Sequence, residues 1–330
     1  MRDLAEIFER FETDAGVVGI AFGAKETEGA FDPDTDAIAF IVDTKLPLLG
    51  AARRLEDGRR RIPNKVELGN RTIASDVVSW IEPRGTKVIK QSSGGPFHAG
   101  GQISNLSATG TYGCLVRKQG DQFVQAVTNR HVAIGANNVV FFPNASSPDM
   151  IEAFTVEDVD LIADEQFIPF QDEPNTYVDV DAAIVTIPQP DLAKFSVGIP
   201  TIGVPTAFHR PAHGSLADYK QSLVGRQVVS WSWNSGRREG QISHVLYTTR
   251  RGTGGPLVTY SFLVEGKDGT VPGLARDSGK AWTCTGPGGE VEVVGLHQGE
   301  ITKGPTLSRF AVATEFWSLS ELMQLSPYTG

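Results

Sequence analysis

Apolar and polar residues along this chain follow two rhythms. Over residues 2–13, Leu4, Ile7, Phe8 and Phe11 recur at helical spacing among charged neighbours, which predicts an amphipathic helix. Three strand-length apolar runs follow: VVGIAFGAK at 17–25, DAIAFIVDTKL at 36–46 and ASDVVSWIE at 74–82. The acidic FDPDTD between the first two predicts a loop, and the charged stretch around Pro63 predicts another. The aspartates of FDPDTD lack the spaced glycine and distal glutamate of a calcium loop. Residues 1–90 therefore read as a small α/β unit.

The rhythm changes after QSSGGPFHAGGQISNLSATG at 91–110, whose glycines and serines predict a linker or long exposed loop. From 111 onward short apolar runs alternate with turns: YGCLVRK, DQFVQAVTN, NVVFF, VDVDAAIVTI, QVVSWSW, GQISHVLYTT, PLVTYSFLV, KAWTCTG and EVEVVGLHQG. Such spacing predicts an all-β region rather than βαβ units. It is long enough for two antiparallel β-barrels, about 111–195 and 200–308. Helical periodicity returns over VATEFWSLSELMQL at 312–325. The expected fold class is mainly β: a double β-barrel with a C-terminal helix, preceded by the α/β unit.

Composition narrows the class of partners. The 330 residues are 40% hydrophobic and 21% charged, as in ordinary globular proteins, with a formal net charge of -9. That balance argues against sequence-independent nucleic-acid binding, which needs a basic surface. Arg59-Arg60-Arg61 is a short cluster of the kind found on solvated turns. No run approaches the ~18 apolar residues of a membrane span. The charged first residues lack the apolar core of a signal peptide. With only Cys114 and Cys284, these features lead to the expectation of a cytoplasmic protein with both thiols reduced.

Candidate chemistry lies at three places. His131, in AVTNRHVA, ends a strand-like run where a loop begins, a position that holds a side chain rigidly yet leaves it accessible. In YVDVDAAIVTI, Asp179 and Asp181 share one strand face, and either suits an acid that orients a histidine. GLARDSGKAW carries Ser278, whose hydroxyl needs a base to become a nucleophile. Other motifs fail. His209 and His213 have helical spacing, but Pro211 breaks the helix and the glutamate of a metalloprotease is missing. GTGGP at 252–256 and GPGGE at 286–290 read as turns. Cys114, in an apolar strand, reads as a buried structural thiol. No metal and no cofactor is expected.

In chain order, TNRHVA, DAAIVTI and RDSG resemble the His, Asp and Ser motifs of the trypsin-like (chymotrypsin-fold) serine peptidases. Gly113-Cys114 is similar to the opening of that family's first barrel. LVGRQVVSWSWNSGRREGQIS at 223–243 is similar to the start of the second barrel in bacterial members. The resemblance covers about 103–325, and the 1–90 unit, with Ile62-Pro63 and Asp76-Val77, looks like the extension on some bacterial and plant relatives.

The resemblance implies a serine endopeptidase acting on proteins or peptides. His131 would be the general base, Asp181 its orienting acid and Ser278 the nucleophile. The backbone N–H groups of Arg276 and Ser278 would form the oxyanion hole, although the family has glycine where Arg276 stands. Pro272 would sit at the base of the specificity pocket. His297, in Gly295-Leu296-His297, would donate to a Glu or Gln side chain at the cleavage position. Lys280 is expected to be solvated. Asp277 stands where zymogen-type relatives pair with a newly freed N-terminus, which leaves open a further reading, a protease kept latent until the chain is cut within 91–110. The alternative is a catalytically lapsed scaffold that binds peptides. Residues 1–90 are expected to receive any regulatory partner.

Overall fold

The computed structural model describes residues 2–12, 17–27, 30–42, 62–68, 71–79, 97–135, 138–161, 178–251, 254–303 and 306–330. The N-terminal elements are α1 (Arg2–Glu12), β1 (Val17–Thr27), β2 (Ala30–Val42), β3 (Lys65–Leu68) and β4 (Arg71–Ser79). Next come β5 (Phe97–His98), β6 (Gln102–Ser104), β7 (Thr109–Thr111), β8 (Leu115–Lys118), β9 (Gln125–Thr128), α2 (Arg130–Ala133), β10 (Val139–Phe142), β11 (Ile151–Leu161) and β12 (Val180–Thr186). The remainder comprises β13 (Phe195–Ser196), β14 (Pro205–Phe208), α3 (Leu216–Leu223), β15 (Gln227–Ser232), β16 (Gly236–Arg250), β17 (Leu257–Gly266), β18 (Ala281–Thr285), β19 (Val291–Lys303), β20 (Thr306–Glu315), α4 (Phe316–Met323) and β21 (Leu325–Pro327).

The expected mainly-β architecture is present. One sheet, β21-β8-β9-β12-β11-β10-β6-β7, is antiparallel throughout and curls into a half-barrel. The other closes on itself: β15-β18-β19-β20-β17-β16 run antiparallel, and β16 pairs back with β15. A ring of this kind leaves no free edge among its members. The two sheets share a core in which Tyr112, Phe142, Trp282 and Phe316 are fully buried.

The N-terminal strands extend the ring's sheet. β16 is 15 residues long. Its first part pairs with β15 and its later part with β1, through Phe22↔Val245 and Gly23↔His244, while β17 lines its other edge. β2, β4 and β3 follow outward. The predicted helix face of α1, Leu4, Ile7, Phe8 and Phe11, is buried, and Phe11 meets Phe40 edge-on at 5.2 Å.

Several local expectations change. FDPDTD lies within β2. Pairing with β1 jumps from Asp36 to Asp32, so the intervening residues bulge, and the Asp32 carboxylate accepts from Thr35 Oγ1 at 2.6 Å and Asp34 N–H at 3.1 Å. The charged stretch after Pro63 contains β3, with Val66 and Leu68 turned inward. Residues 97–110 are not a linker but contribute β5, β6 and most of β7; residues 91–96, like Arg59-Arg60-Arg61, lie outside the described residues. The terminal helix is shorter than 312–325. Residues 312–315 belong to β20, where Val312 and Ala313 pair with both neighbours, and the Glu315 side chain caps α4 by accepting from Ser318 N–H at 3.1 Å. Gln324, at φ 56°, ends the helix and sends β21 back onto β8. Among the described residues no helix is long and apolar enough to cross a membrane.

His244 marks the seam between the N-terminal strands and the ring. A Cβ on Gly23 would lie 2.6 Å from its ring, so the glycine is what lets the imidazole lie across β1. Burial, and then the Arg309 charge, push His244 down to about 3. The unfolded chain binds this proton near pH 6.5 and the folded chain does not. Stability is therefore expected to fall as pH drops from about 6.5 toward about 3, by up to ~1.4 kcal/mol per unit. Urea melts at pH 7 and pH 5 should show a smaller pH difference in His244→Gln than in the natural chain. Equal differences would refute this assignment.

Candidate active site

The antiparallel register of β9 and β12 builds the first half of the site. Ala183 stands opposite Thr128, so Asp181 comes level with the turn that follows β9. That turn is α2, anchored by buried Val132 and Ala133 and leaving His131 exposed. His131 Nδ1 hydrogen-bonds Asp181 Oδ2, and the His131 backbone N–H donates to Asp181 Oδ1 at 3.0 Å. The Asp181 carboxylate thus holds ring and backbone together. Burial raises its affinity for a proton, but the His131 hydrogen bonds and charge, with Arg251 behind, outweigh this and leave Asp181 below the usual carboxylate value. Asp179, the other candidate acid, ion-pairs with Arg251 at 3.1 Å.

The second half is the turn before β18. Thr111 N–H donates to Ser278 C=O at 2.8 Å, Thr111 Oγ1 to Arg276 C=O at 3.0 Å, and Gly279 N–H to His297 C=O at 2.8 Å. Strands of both sheets therefore clamp this turn. Gly110 packs between Val132, the neighbour of His131, and the Ser278 carbonyl, which brings the two halves together. Ser278 Oγ donates to Gln298 C=O at 3.3 Å, and among the described hydrogen bonds it has none to His131. Arg276 adopts φ +78°, the left-handed region that costs an L residue about 1–2 kcal/mol. Among the described residues, neither Arg276 N–H nor Ser278 N–H has an acceptor.

Behind the turn lies a buried polar chain that sequence reasoning mostly missed. Asp277 is fully buried and accepts from Ser232 Oγ at 2.6 Å, Ser235 Oγ at 2.5 Å, Leu274 N–H at 2.9 Å and Lys280 Nζ at 3.0 Å. Lys280, expected in solvent, is fully buried. Its turn places it inside the ring, where Pro272 C=O accepts from Nζ at 2.8 Å and the Trp282 ring lies 4.8 Å away. Burial raises the Asp277 carboxyl, but Lys280, His297 and the two serines more than reverse this and hold it below its ordinary value. Burial also lowers Lys280, against the pull of Asp277.

His297 is fully buried as well. Trp282 Nε1–H donates to its Nδ1 at 3.3 Å, and its Nε2 meets Glu300 Oε1 at 3.0 Å. Register shifts in the β19–β20 pairing between His297 and Thr302 bring residues three apart onto one side. A Cβ on Gly273 would lie 2.5 Å from Glu300 Oε1 and 2.8 Å from the His297 ring, so the 272–274 segment forms the facing wall. Glu300 had no motif to announce it. Ser232 and Ser235 did stand in SWSWNSG, where only their shared burial gives them meaning.

His209 and His213 serve different carboxylates, Glu292 at 2.9 Å and Glu315 at 3.1 Å. His209, Cys284 and Glu292 do converge, but Arg226 Nη1 lies 4.0 Å from Cys284 Sγ, a poor surrounding for a cation. Both cysteines are buried and free. Burial pushes Cys114 to about 12, and burial foremost pushes Cys284 to about 11, so neither is a reactive thiolate at neutral pH.

No family model and no curated protein matches the chain. Solved structures do. A glutamic acid specific serine protease superposes with TM-score 0.47 and 17% identity, covering 70% of this chain and all of that one. Thermobifida fusca protease A gives TM-score 0.44 and 18% identity over 71% of this chain and 99% of its own. Nocardiopsis protease gives 0.44 and 15% over 69% and 97%. These neighbours are trypsin-like, chymotrypsin-fold serine proteases, and the likeness is one of fold.

Proposed function

We propose that the chain is a serine endopeptidase acting on protein or peptide substrates. What carries the reading is the His131–Asp181 pair placed beside a clamped Asp-Ser-Gly turn with two unbonded backbone donors. Asp181 takes the Nδ1–H of His131, which leaves Nε2 free to accept a proton. Ser278 Oγ turns from Gln298 C=O toward Nε2, giving up one long hydrogen bond worth about 0.5–1.5 kcal/mol. Oγ attacks the peptide carbonyl as its proton passes to Nε2. The N–H groups of Arg276 and Ser278 receive the developing oxyanion. His131 then protonates the departing amine, and an acyl-enzyme on Ser278 remains for water to hydrolyse by the reverse proton path.

The side chain next to the scissile bond would meet His297 and Glu300. His297 spends its Nε2 on Glu300, so a substrate carboxylate would have to displace that glutamate. A substrate glutamine can instead donate its amide N–H to Glu300. Of the two residues the resemblance implies, Gln is therefore favoured over Glu. Matched peptides should show kcat/KM about 10-fold or more higher for Gln, the scale of one charge-assisted hydrogen bond. Glu300→Gln should narrow or reverse the ratio. An unchanged ratio would remove Glu300 from specificity.

Labelling the purified chain with an aryl phosphonate and mapping the adduct tests the whole reading. The adduct is expected on Ser278 and absent from Ser278→Ala. An adduct elsewhere, or none on a folded chain, would refute it. The Ser278–Gln298 contact favours one second reading, a lapsed scaffold that binds peptides without reacting. Peptide binding by calorimetry without labelling would select it.

A further inference from the structure

The segment 272–280 carries every group that the proposed reaction needs from this side of the site: the Ser278 hydroxyl and the N–H groups of Arg276 and Ser278. Besides the strand contacts that clamp it from outside, the segment is tied from within by one buried ammonium. Lys280 Nζ contacts the segment at Pro272 C=O (2.8 Å) and at Asp277 Oδ2 (3.0 Å), while its own backbone N–H donates to Asp277 C=O at 3.0 Å. The same Asp277 carboxylate takes Leu274 N–H at 2.9 Å. Start, middle and end of the segment are thus tied to one ion pair, both members of which have no exposed side-chain surface.

The alternatives for neutralising Asp277 are weaker: His297 is near enough for its charge to be felt, but burial disfavours its charged form and its ring nitrogens are engaged by Trp282 and Glu300. Arg238 lies close enough for its charge to be felt, but among the described residues no hydrogen bond joins it to Asp277. Serines 232 and 235 donate to the carboxylate without cancelling its charge. An ionised buried carboxylate without a cation is strongly unfavourable, so an ionised Asp277 requires that a positive group stand there. In this chain it already does, three residues along the same turn.

We propose that Lys280 is the resident counter-ion that sets the Ser278 turn, so that the turn is assembled in the uncut chain without a freed N-terminus. The inference rests on the serine-peptidase reading of Ser278. It makes Lys280 a positioning residue, since it touches the turn and not the reacting atoms. It also removes the need for activation by cutting within 91–110.

Intact-mass analysis of phosphonate-treated full-length chain tests the proposal directly. Adduct is expected on chains that still begin at Met1. Adduct confined to shortened chains would overturn the inference while leaving the peptidase reading intact. No adduct on either form would refute both. Lys280→Met should slow labelling 100-fold or more, with partial recovery in Lys280→Arg; labelling at the natural rate in Lys280→Met would also overturn it. If Lys280→Met does not fold, Lys280→Met combined with Asp277→Asn removes both charges. It should recover thermal stability without recovering labelling, and recovery of both would exclude the positioning role. A second readout is independent of activity. In Ser278→Ala, nitrogen-detected spectra should contain a slowly exchanging lysine ammonium signal that Lys280→Met abolishes and Lys220→Met, the other buried ion-paired lysine, does not; its absence would refute the ion pair.

Discussion

Replacing Asp181 by asparagine is expected to lower kcat by about 10⁴-fold, with a much smaller change in KM for a matched peptide. The carboxylate accepts both from the His131 ring and from the His131 backbone N–H. An asparagine amide can satisfy the backbone contact through its oxygen but presents N–H to the ring. The imidazole then carries its proton on Nε2, where it cannot receive the Ser278 proton. The fold should survive, because the β9–β12 register does not depend on this side chain. Asp179→Asn provides the contrast. That residue pairs with Arg251 and not with His131, so its loss should lower the melting temperature and leave kcat within a few-fold. Steady-state kinetics on the two variants separate the assignments. Equal losses of kcat would remove Asp181 from its role.

Gly279→Ala is expected to lower stability by about 3 kcal/mol, from a left-handed backbone and from overpacking. Its φ is +94°, and an added Cβ would lie 2.1 Å from Thr111 C=O, 2.4 Å from Thr128 Oγ1 and 3.1 Å from Asn129 N. Two of these are backbone atoms, one in β7 and one at the start of the α2 turn that carries His131, so they cannot give way cheaply. The melting temperature should drop by about 5–10 °C. Any chain that folds should lose activity, because relief of the clash moves the Ser278 turn away from His131. A melting temperature and a kcat both near those of the natural chain would mean that the two sheets meet loosely at Gly279.

Much of the molecule was legible in residue order. The α1 face, the succession of short strands and their turns follow from local periodicity, which acts over neighbours in the chain. TNRHVA, DAAIVTI and RDSG each carry a recognisable local shape: a strand end, an inward-facing strand and a tight turn. The positive φ of Arg276 agrees with the glycine that the family resembled by RDSG has at this place. Boundaries were less legible. Residues 312–315 have helical spacing yet form β20, since pairing with β17 and β19 outweighs a weak local preference.

Tertiary structure decided the rest. Asp179 and Asp181 read alike in residue order, but Asp179 falls just before β12, buried against Arg251, while Asp181 lies within the strand and meets His131. The N-terminal unit joined the ring because β16 outlasts β15 and offers its remaining edge to β1. Lys280 reads as a surface residue by type, and Glu300 reads as nothing at all. Their roles exist only because ring closure takes both out of water beside Asp277 and His297. Sequence alone determined which residues were available and what each strand wanted to bury. Which charge would face which was left to closure of the fold, because the energy of a buried charge depends on partners far away in the chain.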